Sequence, residues 1–125
     1  MAPQVEYQVM EDCIVILRFQ SPDSMNQLLD PISNRVDGPI KNRMGHNFPR
    51  DEMTKEEIAQ VLPKPLHKSC KYVIACVRGN TQTLKHELCH ARYFTNPKYR
   101  AEINHVWSHV LTEKQRTYIA GFMMR

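Results

Sequence analysis

Lys71–Tyr93 reads KYVIACVRGNTQTLKHELCHARY, and its two halves follow different rules. Lys71–Val77 is short, β-branched and apolar, the composition of a buried strand. Gly79-Asn80 makes a turn. A helix follows, capped by Thr81 or Thr83 and running to about Phe94. Taking His86 as zero, Leu84, Leu88 and Ala91 fall at roughly 140–200° around that helix, while His90 and Tyr93 stay near zero. The apolar stripe therefore packs one way and both imidazoles project the other. A strand running straight into such a helix points to an α+β domain with a short sheet packed on this helix.

Working outward, Cys13–Phe19 (CIVILRF) is a second strand of the same kind. Ser21–Pro49 reads as irregular, because Pro22, Pro31, Gly38-Pro39, Gly45 and Pro49 interrupt any long helix. It leaves room for a short helical turn around Met25–Leu29. So long a loop, with His46 in it, reads as a lid or substrate loop. Thr54–Leu62 opens with a capping box, Thr54 followed three residues later by Glu57, and predicts a short helix that Pro63-Lys64-Pro65 ends. Asn96-Pro97 stops the central helix and starts another, to about Val110. Thr112 opens a last helix through Met123. The order β, irregular, α, β, α, α, α gives a helical C-terminal half.

The chain has 125 residues, which corresponds to a single domain spanning 1–125. With 42% apolar and 24% charged residues it is globular in composition, which excludes fibrous and wholly disordered classes. No run of about 18 apolar residues is present, so no membrane span is expected. The start of the chain has neither a basic segment nor an apolar run of signal length, so a soluble protein of the cytoplasm or nucleus is expected. Cys13, Cys70, Cys76 and Cys89 show no CxxC pairing and are expected to be reduced thiols, Cys70 and Cys76 lining one face of a strand. Residues 1–62 carry 6 Lys/Arg against 10 Asp/Glu, and residues 63–125 carry 11 against 3. The plain reading is that the two halves pack together and neutralise each other. The sharper one is that the basic half faces nucleic acid.

Within the central helix, His86-Glu87-Leu88-Cys89-His90 is an HExxH match. By the product of residue frequencies, about 2% of shuffled chains of this composition would carry one. Residues four apart on a helix lie about 40° apart around its axis, so the two imidazoles can grip one Zn²⁺ ion. Glu87, one residue on, can reach a metal-bound water and take its proton as the water attacks a carbonyl. Tyr93, one turn beyond His90, is either an oxyanion donor or, more ordinarily, a packing residue. Cys89 reads as a buried, inert cysteine, the alternative being a redox or inhibitory thiol.

Val73–Phe94 resembles the active-site helix of zincin metallopeptidases with its preceding strand. The resemblance implies zinc ligands at His86 and His90 and a general base at Glu87. It covers roughly a third of the chain. Catalytic zinc commonly has a third protein ligand, and downstream of His90 the candidates are Glu102, His105, His109 and Glu113. On a helix from Pro97, His105, His109 and Glu102 share one face, opposite Ile103, Val106, Trp107 and Val110. The pattern HELCHARYF with His105 resembles SprT-like proteases, which cut proteins bound on DNA, and favours His105 as the third metal ligand. His105-Val106-Trp107 departs from that family's pattern in lacking a Gly after the His. Gluzincins would use a Glu from the following helix, which points to Glu102, but their Asn-Glu-x-x-Ala context is absent. Minigluzincins show that such a fold fits in about this length. A third alternative places the ligand beyond residue 125, since the apolar end at 121–125 has no cap and resembles a truncation or a partner-facing tail. Metzincin and aspzincin patterns are absent.

The expectation is thus a zinc-dependent peptidase acting on a protein or peptide substrate, with zinc on His86, His90 and His105 and Glu87 as general base. Substrate could pair with the strand at Tyr72–Val77 if that strand is an edge. The alternative is a non-catalytic binding or scaffolding module of the same fold with an incomplete or structural zinc site, in contact with nucleic acid through its basic half.

Overall fold

Two apolar hexapeptides, IVILRF and YVIACV, form the middle of a four-stranded sheet. The structure, a computed structural model, describes residues 5–11 and 13–123, the last three as backbone. The strands are β1 (Val5–Met10), β2 (Ile14–Phe19), β3 (Gly45–Pro49) and β4 (Tyr72–Val77), in the order β1-β2-β4-β3. β2 and β4 run parallel, while β1 and β3 flank them antiparallel at the two edges. Three of the helices are α1 (Pro22–Asp37), α2 (Lys55–Val61) and α3 (Thr81–Thr95).

α1 and α3 cover opposite faces of the sheet. Ile14, Ile16, Tyr72 and Ile74 pack with Leu88 and Ala91 of α3. Val15, Leu17, Phe19, Val73 and Ala75 pack with Met25, Leu29 and Ile32 of α1 and with Phe48 of β3. Burial on both faces explains why β2 and β4 are almost continuously apolar instead of alternating. Cys76 shares the parity of Tyr72 and Ile74, whereas Cys70 precedes β4 and joins the α1-side core, so the two do not line one face. All four cysteines are unpaired.

The α+β class and the helical C-terminal half are as expected, but Ser21–Pro49 is not an irregular loop. It holds the sixteen-residue α1 and the edge strand β3. Ser21 caps α1 by accepting from Ser24 N at 3.2 Å, and Pro22 stands in the first turn, where a missing N–H is harmless. Pro31 does sit inside the helix. An internal proline costs about 3 kcal/mol. Met25, Leu29 and Ile32 are buried, with Leu28 and Val36 partly so. Each such burial contributes roughly 1.5–3 kcal/mol, which outweighs the proline. Gly38, with φ 91°, ends the helix in a conformation that favours glycine. β1 is an edge strand not anticipated from its polar VEYQVM sequence; its middle is exposed, while Val5 packs on the α1-side core and Met10 on the α3-side core.

The capping box of α2 is as read: Thr54 Oγ1 accepts from Glu57 N at 3.1 Å, and Glu57 Oε1 accepts from Thr54 N at 2.8 Å. α3 is capped by Asn80, whose Oδ1 accepts from Thr83 N at 3.2 Å, rather than by Thr81 or Thr83. The helix expected over 97–110 is α4 (Pro97–His105) followed by a π-helical turn at Val106–Val110. α5 spans Glu113–Met123. None of α4 or the π turn is buried, and Val110 and Tyr118 are 63% and 81% exposed. The apolar end at 121–125 lies, in its side chains, outside the described residues. Among the described residues, the acidic and basic halves meet in two ion pairs, Glu6 with Arg78 at 3.2 Å and Glu11 with Arg92 at 2.9 Å. No helix among the described residues is long and apolar enough to cross a membrane.

Candidate metal centre

α3 lies against β4 through Leu88 and Ala91, so its opposite side faces a cleft beside the edge strand β3. The cleft has a volume of about 730 Å³ and is lined by residues of α1, of the connection after it, of β3 and of α3. His86, Glu87 and His90 all line it. The two Nε2 atoms of His86 and His90 lie 3.3 Å apart, with ring centroids at 4.9 Å and planes at 78°. Two ligands about 2.05 Å from a tetrahedral zinc ion are themselves about 3.3 Å apart. The pair therefore fits such an ion, and the donor chemistry of two imidazoles suits zinc.

Glu87 is buried at 6% exposure. Its Oε1 lies 4.0 Å from His86 Nε2. Burial pushes its carboxyl up to about 7, while a hydrogen bond from Asn47 pulls the other way and the charge of Asp37 adds to the rise. Asn47 Nδ2 donates to Glu87 Oε2 at 2.6 Å, and Asn47 Oδ1 accepts from the Tyr72 hydroxyl at 2.6 Å. Burial, with the charges of Glu87 and Asp37, pushes the Tyr72 hydroxyl up, so it stays a donor. A carboxyl poised near neutrality beside an imidazole pair can exchange protons with water at physiological pH.

β3 approaches α3 closely because Gly45 has no side chain. A Cβ there would lie 2.6 Å from Thr83 Cγ2 and 3.3 Å from Glu87 Cγ. The strand's alternate residue, His46, turns to the α1 side. Its ring is 2% exposed, with Nδ1 2.7 Å from Ser33 Oγ and Nε2 2.7 Å from Asn26 Oδ1. Burial lowers its pKa to about 4, the charge of Asp30 opposing this and that of Arg43 adding to it. His46 is thus a buried clamp between β3 and α1, not part of a mobile loop.

His105 stands on α4, its ring stacked on that of His109 at 4.6 Å. Neither these two nor Glu102 nor Glu113 lines the cleft. Among the described residues no three His, Cys, Asp or Glu side chains converge as a metal-binding group. Tyr93 turns away from the cleft too: its hydroxyl donates to Asn104 Oδ1 at 2.8 Å and Arg100 lies over its ring, so it ties α3 to α4. The strand Tyr72–Val77 is paired on both sides and cannot take up substrate; β3 is the edge beside α3. Asn47 and Tyr72 are the site residues that sequence reasoning missed. Asn47 is forty positions from Glu87 in a segment read as irregular, and no local pattern marks it. Comparison with family models, with curated proteins and with solved structures gives no match to this chain.

Proposed function

We propose that the protein is a zinc-dependent peptidase whose metal ligands include His86 and His90 and whose general base is Glu87. The single observation that carries this reading is the 3.3 Å separation of the two Nε2 atoms beside a buried carboxylate. Zinc, when bound, supplies a Lewis acid that polarises a carbonyl and lowers the pKa of a water towards 7. The chain's own groups do the rest. Glu87 Oε1, on the His86 side, accepts the proton of the attacking water and passes it to the departing amide nitrogen. The edge of β3 offers main-chain partners to an extended peptide lying along the cleft. His105 is the third ligand in this proposal if α4 folds towards the cleft.

A second reading keeps the metal without the catalysis: a binding module whose zinc site has two protein ligands. It is favoured by the place of His105, stacked on His109 and not lining the cleft. Elemental analysis and peptide hydrolysis by the purified chain separate the two. For a peptidase, Glu87→Gln keeps one equivalent of zinc and loses hydrolysis by a factor of about 10²–10⁴. A zinc-loaded wild type that cuts no peptide leaves the binding module. Salt-dependent DNA binding by a zinc-free protein would replace both with a nucleic-acid-binding domain.

A further inference from the structure

Glu87 cannot turn freely, and the group that restrains it comes from another layer of the fold. A glutamate on a helix face has three side-chain torsions, so position on α3 alone does not aim its carboxylate. Asn47 takes one oxygen, Oε2, in a 2.6 Å bond. The remaining oxygen, Oε1, is the one on the His86 side. Asn47 is itself held the right way round. Its amide oxygen accepts from the Tyr72 hydroxyl, which leaves the amide nitrogen for the carboxylate. The reversed amide would set its oxygen against an ionised Glu87, so with the carboxylate ionised only one orientation satisfies all three groups. β3 is fixed in turn from behind, where His46 bonds Ser33 and Asn26 of α1 through both ring nitrogens. In front, Gly45 lets the strand sit within contact of Thr83 and Glu87.

We infer that Asn47 is a positioning residue that aims Glu87 Oε1 at the imidazole pair, and that Tyr72 orients Asn47 for it. The consequence for rate rests on the peptidase reading; the aiming does not. Since Tyr72 belongs to β4, Asn47 to β3 and Glu87 to α3, the sheet sets the direction of a group that the helix only carries. Misplacing a reacting group by about 1 Å costs up to about a hundredfold in rate.

The test uses the full chain with zinc. Asn47→Leu keeps the size of the side chain and removes the donor; kcat is expected to fall about 30- to 100-fold with KM and zinc content unchanged. Tyr72→Phe, acting through Asn47, is expected to lower kcat by about three- to tenfold. The double variant should be no slower than Asn47→Leu alone, a non-additivity that loss of stability would not produce. A second readout needs no substrate. The Asn47 side-chain amide protons should resonate downfield and exchange slowly in the wild type, and return to ordinary values in Glu87→Leu. If Asn47→Leu fails to fold, Tyr72→Phe and the amide resonance carry the test. Hydrolysis that survives Glu87→Gln overturns the peptidase reading and leaves the resonance to judge the aiming. An inactive Glu87→Gln beside full kcat in Asn47→Leu or Tyr72→Phe, or an amide resonance indifferent to Glu87→Leu, overturns the inference itself.

Discussion

The chain carries two histidine pairs at the same spacing, His86/His90 and His105/His109, and the fold treats them in opposite ways. The first pair stands on a helix whose other side is buried against the sheet, beside a 6% exposed carboxylate, and its Nε2 atoms are 3.3 Å apart. The second straddles the passage from α4 into a π-helical turn, and its rings lie face to face at 4.6 Å and 16°. Stacked faces direct ring nitrogens alongside each other, not at a common point. His109 Nδ1 also lies 3.3 Å from the His105 carbonyl, a local bond within the turn. Spacing places two imidazoles on one side of a helix; it does not make them converge. Convergence comes with the packing partner, and α3 has a sheet where α4 has solvent.

The largest expected effect tests that contrast directly. Losing an outer partner of a metal ligand already costs about 10- to 100-fold in affinity, so His86→Ala or His90→Ala should lower zinc affinity by about a hundredfold or more. His109→Ala should leave it unchanged. His105→Ala separates the two forms of the proposed site: a loss like that of His86→Ala means that α4 contributes a ligand, and no change means that the two pairs are independent. Competition against a chromophoric chelator reads all four. Equal losses in His86→Ala and His109→Ala would erase the comparison.

The same contrast has a counterpart in stability. Leu88 is 8% exposed and packs on the sheet, whereas Val110 is 63% exposed. Leu88→Ala should cost about 2–4 kcal/mol, by lost transfer and cavity formation. Val110→Ala should stay within about 0.5 kcal/mol. Denaturant midpoints at constant slope give both numbers. A comparable loss at Val110 would mean that the C-terminal helices bury an apolar face in solution.

A smaller effect concerns pH, and it turns on two buried groups with shifts of opposite consequence. His46 resists protonation down to about 4, against 6.5 when exposed. Between those values the unfolded chain binds the extra proton, so this contribution to stability falls as pH drops from 6.5 to 4. Glu87 keeps its proton up to about 7, against 4.5 when exposed. There the folded chain binds the extra proton, so this contribution falls as pH rises from 4.5 to 7. In the shared window, about pH 4.5–6.5, each slope is at most about 1.4 kcal/mol per pH unit, and the two oppose. The metal-free wild type should therefore show a flat stability there. Glu87→Gln should unmask the His46 contribution, with stability rising with pH from 4 to 6.5. His46→Gln should show the reverse slope. Identical pH profiles in all three proteins would remove the assignment of these shifts.

Much of the body could be read from local pattern. Continuous apolar runs announced β2 and β4, the Thr54/Glu57 pair announced α2, and the separation of Leu84, Leu88 and Ala91 from His86 and His90 gave both faces of α3. α1 carried an equally clear signal: Met25, Leu28, Leu29, Ile32 and Val36 recur at helical spacing. Pro31, a helix breaker in isolation, masks it, although five apolar side chains outweigh one lost hydrogen bond and its clash. β1 and β3 left little trace: the middle of β1 is exposed, and β3 is five residues long with only His46 and Phe48 buried.

The candidate site divides along the same line. That His86, Glu87 and His90 share a helix face follows from 3.6 residues per turn and needs nothing beyond the sequence. That Glu87 is buried, titrates near neutrality and is held by Asn47 and Tyr72 came only with the tertiary structure, as did the separation of His105 from the cleft. Helical periodicity is a property of neighbouring residues, whereas desolvation and a hydrogen bond across forty positions exist only once the sheet has brought three distant segments together.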